Sequence, residues 1–173
     1  MPSQRPVRDS FVTTSAVVLP NDTNTIQNLM GGKMMHWMDI AAAIAAQRHS
    51  NRVVVTASVD TITFREPIRL ANVVVLEAQV TRSFNSSMEV RIRAYAEDIP
   101  AGTKVLSNEA YFTFVAVDQG GRPIDVPVAV PETDEEKEVW AGALRRRQLR
   151  LVLAGRMKPE DASELQTIFD IKN

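Results

Sequence analysis

Residues 31–48, GGKMMHWMDIAAAIAAQR, constrain this chain more than any other stretch. Behind two glycines the segment is apolar on nearly every side: Met34, Met35, Trp37, Met38, Ile40, Ile44 and a run of alanines. A helix that is apolar all round is a buried helix. At ~1.5 Å per residue it is about 27 Å long, enough to cross a domain. It carries one carboxylate, Asp39. An unpaired buried charge is costly, so this acid is either neutralised by a packing partner or kept for chemistry.

The chain of 173 residues favours a single domain with its own core. A net charge of −1 provides no overall field for nucleic acid or an anionic membrane. The absence of cysteine removes disulfides, thiolate zinc sites and cysteine nucleophiles. Both histidines, His36 and His49, fall inside or beside the central helix, which leaves little for a Ser-His-Asp triad. No dense His/Asp/Glu cluster suggests a metal. The N-terminus lacks an apolar signal core and no apolar run reaches bilayer length, so a cytoplasmic setting is expected.

In chain order, residues 1–10 read as a flexible, polar N-terminal arm with Pro2 and Pro6. Residues 11–19, FVTTSAVVL, read as a first strand ended by Pro20. A loop of turn formers, NDTNTIQNLMGG (21–32), then delivers the chain to the helix. Its polar residues Asn21, Asp22, Thr23 and Asn24 suit turn chemistry or ligand binding alike. Beyond the helix, 52–65, 72–82, 87–97 and 105–118 read as strands. In 87–97 the alternation of Met88, Val90, Ile92, Ala94 and Ala96 with polar partners marks one covered and one wet face. One strand, one long helix and four closely connected strands predict an α+β fold. A five-stranded antiparallel sheet curls around the central helix and faces it on most sides.

Residues 131–173 differ in character and predict a helical C-terminal extension. Thr133 and Glu136 form a capping box, and the helix runs on into RRRQLR (145–150). A second short helix is expected from Pro159. The arginine cluster suits a solvated or inter-subunit face, or phosphates.

With cysteine absent and histidine scarce, carboxylates are the available acid-base groups. A carboxylate in a dry, apolar site is a stronger base, and Asp39 is the best placed. His36, one turn earlier, reads as a packed core histidine. Glycine N–H groups at a helix N-terminus, here Gly31 and Gly32, can cradle a developing oxyanion. Asn24, fifteen residues before Asp39, can hold a water or orient a carbonyl. The combination points to acyl transfer to water.

The run LPNDTNTIQNLMGGKMMHWMDIAAAIAAQRH resembles the signature of hotdog-fold acyl-CoA thioesterases, in the acyl-CoA hydrolase family with its cytosolic long-chain group. That signature has P-x-D-x-N, a spacer, G-G and then M-D or M-E within the helix. SVDTITFREPI (58–68) and SSMEVRIRAYAE (86–97) resemble later parts of the same pattern. The resemblance covers roughly residues 10–130, and the hotdog domain it implies is residues 11–130, leaving the extension outside it. It implies a hotdog fold and hydrolysis of acyl-CoA to free fatty acid and CoA. Asp39 is then the catalytic carboxylate, Asn24 its partner amide and Gly31 or Gly32 the carbonyl-polarising backbone. No cofactor is implied, coenzyme A being part of the substrate. The resemblance further implies dimers, assembled as a trimer of dimers, with CoA along a subunit groove. Arg82, Ser86 and Ser87 are the candidates for its nucleotide end. The chain has Met30 where the family commonly has His or Phe, and Asn28 where it often has Gly.

Two alternatives use the same fold. A non-catalytic acyl-CoA sensor or scaffold has no need of Asp39 and Asn24. An enoyl-CoA hydratase needs D-x-x-x-x-H, and the position five beyond Asp39 is Ile44.

Overall fold

The computed structural model describes residues 3–60 and 62–169. Thr61 of the expected 52–65 strand, the first two residues of the expected arm and residues 170–173 of the extension lie outside them. The chain divides into two compact units, Met1–Val130 and Pro131–Asn173.

The first unit is built on helix α1, Gly31–Ser50. Five antiparallel strands curl against it: β2 (Val12–Val17), β3 (Val53–Val59), β4 (Val73–Ser83), β5 (Ser87–Asp98) and β6 (Thr103–Val117). Their order in the sheet is β2-β4-β5-β6-β3, so β2 and β3 are its edges. The strands follow from β-branched runs, and Met88, Val90, Ile92 and Ala94 of β5 are fully buried as expected; Glu89, expected on the wet face, is fully buried too, its carboxylate accepting from Thr81 Oγ1 at 2.6 Å. They meet Met34, Met38, Ala41, Ala42, Ala45 and Ala46 of α1 in one core. Those helix positions recur at three- and four-residue spacing and form a single stripe.

The expectation that sheet faces the helix on most sides is therefore corrected. Met35 and Ile40 lie off the stripe and remain 41% and 46% exposed, and His36 is exposed rather than packed in the core. One curled sheet covers one side of a helix, so all-round apolarity calls for a second surface.

The N-terminal arm is also corrected. Strand β1 (Gln4–Pro6) pairs in parallel with β7 (Val128–Val130), and a 3-10 turn at Val7–Ser10 buries Val7 and Ser10. The physical reason lies at the far end of α1. The last carbonyls of a helix lack intrahelical partners. Arg5 Nη1 donates to the carbonyls of Arg48 (2.8 Å) and His49 (3.1 Å), which caps the helix and ties the arm down.

In the second unit, α2 (Asp134–Leu153) starts with the expected capping box: Thr133 Oγ1 accepts from Glu136 N at 3.2 Å, and Glu136 Oε2 accepts from Thr133 N at 3.1 Å. A 3-10 turn at Pro159–Asp161 precedes α3 (Ser163–Phe169). Gln148 joins the two helices, accepting from Glu164 N at 2.8 Å.

Candidate active site

The loop into α1 is braced by the carboxylate of Asp22. It accepts from Leu19 N at 3.0 Å and pairs with Lys33 at 3.2 Å. The Leu19 amide, aided by Lys33, holds this carboxyl below its ordinary pKa against the opposing effect of desolvation. Asp22 also has its backbone carbonyl engaged by Met30 N at 2.9 Å, so one residue sets where the helix begins.

Asn24 lies between these anchors. Its Oδ1 accepts from Ile26 N and Asn28 N, each at 3.1 Å, and its backbone N donates to Asn28 O at 2.8 Å. Gln27 completes the tight loop with φ +60°. Since the backbone takes up the oxygen, the end of the amide that can face a ligand is Nδ2, a donor. Asn24 does not line the cavity described below at Gly31.

At the start of α1, Met30 is the N-cap and no side chain caps the helix. Uncapped N–H groups in a first helical turn attract an oxyanion. The two glycines differ. A Cβ on Gly31 would lie 3.2 Å from Phe64 Cζ, so glycine here allows the ring to close over the helix start. A Cβ on Gly32 would meet nothing within 4 Å. Beside Gly31 opens a cavity of about 320 Å³ whose walls include Leu29, Met34, Phe64 and Ile68.

Asp39 sits two turns farther along the same helix, separated from Gly32 by roughly 10 Å of rise. In the single chain it is only partly buried, so the dry surroundings expected for it are not supplied by its own protomer. It does have a partner that sequence reasoning missed: Thr56 Oγ1 donates to Asp39 Oδ1 at 2.8 Å. Thr56 lies on edge strand β3, at a register shift against β6 between Thr56 and Ser58. Bulges of this kind redirect side chains and are common beside active sites. Within a β-branched run nothing separates Thr56 from a strand-forming threonine.

Arg82, Ser86 and Ser87 gather at the β4–β5 turn and do not line the Gly31 cavity. Arg82 stacks its guanidinium over Phe84 at 5.6 Å. The carbonyls of Ser86 and Ser87 accept from Ala116 N (2.9 Å) and Phe84 N (2.7 Å), which shapes the turn. Among the described residues there is no group of three or more His, Asp or Glu suited to a metal ion, and no helix long and apolar enough to cross a membrane.

Comparisons with known proteins bear on the fold and the family. The Thioesterase superfamily model matches residues 27–102. The chain is 41% identical over 145 residues to the uncharacterized acyl-CoA thioester hydrolase YkhA of Bacillus subtilis, covering 84% of each chain. It spans 25% of two longer mouse relatives. Among solved structures, an apo-hexameric acyl-CoA thioesterase superposes with a TM-score of 0.85 at 36% identity, covering 88% of this chain and 97% of the other. The acyl-CoA hydrolase of Staphylococcus aureus, in complex with butyryl coenzyme A, coenzyme A and coenzyme A disulfide, gives 0.81 at 33% identity, with 88% and 95% covered. That enzyme has also been solved with an asparagine, an aspartate or a threonine replaced by alanine. The curled sheet, its helix and these relatives place the chain in the thioesterase superfamily, among the hotdog-fold acyl-CoA thioester hydrolases. It is a thioesterase.

Proposed function

We propose that the chain hydrolyses acyl-CoA thioesters to free fatty acid and CoA, with Asp39 as the reacting carboxylate. The observation that carries this reading is the Asp39–Thr56 pair at 2.8 Å, which orients a carboxylate on the uncovered side of α1. The named relatives and the coenzyme A complex of the Staphylococcus aureus enzyme support it.

In the proposed reaction the thioester carbonyl oxygen rests on the first N–H groups of α1, at Gly31 or Gly32, with Asn24 Nδ2 as a further donor. As base, Asp39 takes a proton from water while the water oxygen attacks the carbonyl carbon. The C–S bond then breaks and the CoA sulfur leaves with a proton. As nucleophile, the Asp39 carboxylate attacks the carbonyl carbon, the C–S bond breaks and the CoA thiolate leaves and takes a proton from water; a water then hydrolyses the resulting anhydride to free fatty acid and the original carboxylate. No cofactor enters either route. Arg82, Ser86 and Ser87 are the proposed contacts for the nucleotide end of CoA.

The site is proposed to be completed by a second copy of the chain. Met35 and Ile40 leave an apolar face on α1, and edge strand β3 exposes Val53 (66%) and Val55 (48%). Exposed apolar surface beside an unpaired strand edge is a docking surface for another chain. The hexameric assembly of a close structural relative supports a trimer of such dimers.

Free-thiol release from acyl-CoAs tests the reading. Wild-type protein should release CoA, and Asp39→Asn should reduce kcat by several orders of magnitude with the fold and CoA binding intact. Near-full turnover by Asp39→Asn would reduce the acid to a packing residue.

A further inference from the structure

The geometry points to Ser107 and Asn108 of β6 as positioning residues for the reaction: they latch the 60–67 loop so that Phe64 closes one side of the start of α1 to water. The inference rests on the proposed thioester hydrolysis and adds two residues that act on its oxyanion site through a third.

The loop has few backbone ties of its own. It leaves the end of β3 and runs beside β6. Among the described residues its backbone meets β6 through Asp60 N to Tyr111 O at 3.0 Å and a longer bond, Arg65 N to Ser107 O at 3.4 Å. Phe64 is 51% exposed, so burial in the core does not fix its ring. The ring nevertheless stands where a Cβ on Gly31 would lie 3.2 Å from Phe64 Cζ.

Two side chains of β6 account for that placement. The register against β5 shifts between Ala94 and Tyr95, whose partners are Asn108 and Leu106, so Ser107 is an extra residue in the strand. Neighbouring side chains of a regular strand point to opposite faces, and a bulge breaks that rule. Ser107 and Asn108 are both buried, and both reach the loop. Asn108 Nδ2 donates to Thr63 O at 2.8 Å. Ser107 Oγ lies 2.7 Å from Glu66 O and 2.6 Å from Asn108 Oδ1. The Thr63 carbonyl can only accept, which sets the Asn108 amide with Oδ1 toward Ser107, and the single hydroxyl proton of Ser107 serves one of its two acceptors at a time. The bonds land on residues 63 and 66, so they bracket Phe64.

The consequence is electrostatic. Backbone dipoles aimed at a developing charge are worth more where water is excluded, and an apolar ring beside the first turn of α1 excludes it from that side. Releasing the latch frees the ring and leaves every reacting group in place.

The test pairs a catalytic readout with one that does not depend on catalysis. Asn108→Leu keeps the approximate size of the side chain and removes its hydrogen bonds. Arg65 is exposed, so trypsin cleavage after it reports release of the loop. Loss of one buried hydrogen bond should speed that cleavage roughly tenfold. The same variant should lower kcat about tenfold with KM nearly unchanged, short of the ~10²-fold lost when an oxyanion donor itself is removed. Phe64→Ala should show the same fall in kcat, and adding Asn108→Leu to it should cost nothing further, because the latch acts through the ring. Ser107→Ala releases the loop from the other anchor if Asn108→Leu does not fold, and Ser107→Thr, which keeps the hydroxyl, should restore both readouts. Unchanged cleavage after Arg65 in the folded variants, or losses in kcat that multiply in the double variant, would overturn the latch. Absence of hydrolysis of any acyl-CoA by the wild-type protein would overturn the thioesterase reading itself, and the positioning role with it, whatever the rate of cleavage.

Discussion

Thr56 on edge strand β3 donates its hydroxyl to Asp39 on α1 over 2.8 Å, linking two elements adjacent in sequence through the candidate carboxylate. The bond is made by a strand residue at a register shift and holds one oxygen of the acid. Asp39 therefore has its orientation set from outside its own helix, and β3 and α1 have to keep their spacing for that to hold.

Thr56→Val keeps the β-branched shape and removes the hydroxyl. If the bond orients a reacting carboxylate, kcat should fall on the order of 10- to 100-fold with KM nearly unchanged, as expected for one positioning hydrogen bond. Thr56→Ser should restore most of the lost rate. A matching loss in Thr56→Ser and Thr56→Val, or a change confined to KM, would show that Thr56 acts through packing.

Asn24 has two duties that different substitutions separate. Its Oδ1 holds the N–H groups of Ile26 and Asn28, whereas Nδ2 is the end proposed above as a donor to substrate. Asn24→Asp keeps the acceptor and loses the donor, so the loop should stay folded while kcat falls about 10²-fold, the loss typical of one oxyanion donor. Asn24→Ala should show the same kinetic loss plus a lower Tm. Wild-type turnover in Asn24→Asp would leave Asn24 with the loop-building role alone.

His49 yields a prediction about stability rather than catalysis. It is fully buried, its Nε2 lies 3.0 Å from Pro127 O, and its Nδ1 is buried without a partner. Burial above all holds its pKa below 6.5; the hydrogen bond to the Pro127 carbonyl opposes it, the Arg5 charge adds to the lowering, and Asp9 opposes it in turn. Well above pH 6.5 the ring is neutral in both folded and unfolded chains and contributes no pH dependence. Below that value the unfolded chain takes up a proton that the folded chain resists, so stability should fall as pH drops toward the folded pKa. Measured by denaturant melts between pH 8 and 5, His49→Gln should lose this part of the slope. An identical slope in both proteins would show that His49 does not contribute.

Periodicity made the sheet and the helix legible. The alternation in 87–97 and the β-branched runs around it place β2, β4, β5 and β6 within about two residues, whereas the strand expected over 52–65 ends at Val59, where the chain leaves the sheet edge. What escaped depended on contacts between distant segments. Gln4–Pro6 has no alternation, and its order comes from Arg5 reaching carbonyls more than forty positions away. Thr56 escaped because a threonine in a β-branched run signals strand whether or not its hydroxyl has work to do. The face of α1 was misread because apolarity measures how much surface must be covered and not which chain covers it. Asp39 was found as a candidate because a carboxylate is exceptional in an apolar helix, the glycines because of their place at its start, and Asn24, ordinary in a loop of turn formers, through the P-x-D-x-N resemblance; the structure distinguishes Gly31 from Gly32 through Phe64.

The last prediction is that each site is shared between two chains. Gly32 and Asp39 are separated by roughly 10 Å along one helix, whereas a reacting carbonyl must lie about 3 Å from its oxyanion donor and close to the base as well. A single α1 cannot easily present both to one atom. Two copies related by a two-fold axis can, if the start of one helix passes the middle of the other. The face that would make this approach carries Met35 and Ile40, whose exposure in the single chain is otherwise unexplained. Asn24 and the glycine pair of one subunit should then serve Asp39 of its partner, with two equivalent sites per dimer. Mixing inactive Asn24→Asp and Asp39→Asn proteins under subunit exchange tests this. A heterodimer places both lesions in one site and leaves the other intact, so it should recover up to half the wild-type activity per dimer. If confirmed heterodimers are as inactive as their parents, each site is built within one chain and the two-fold arrangement is wrong.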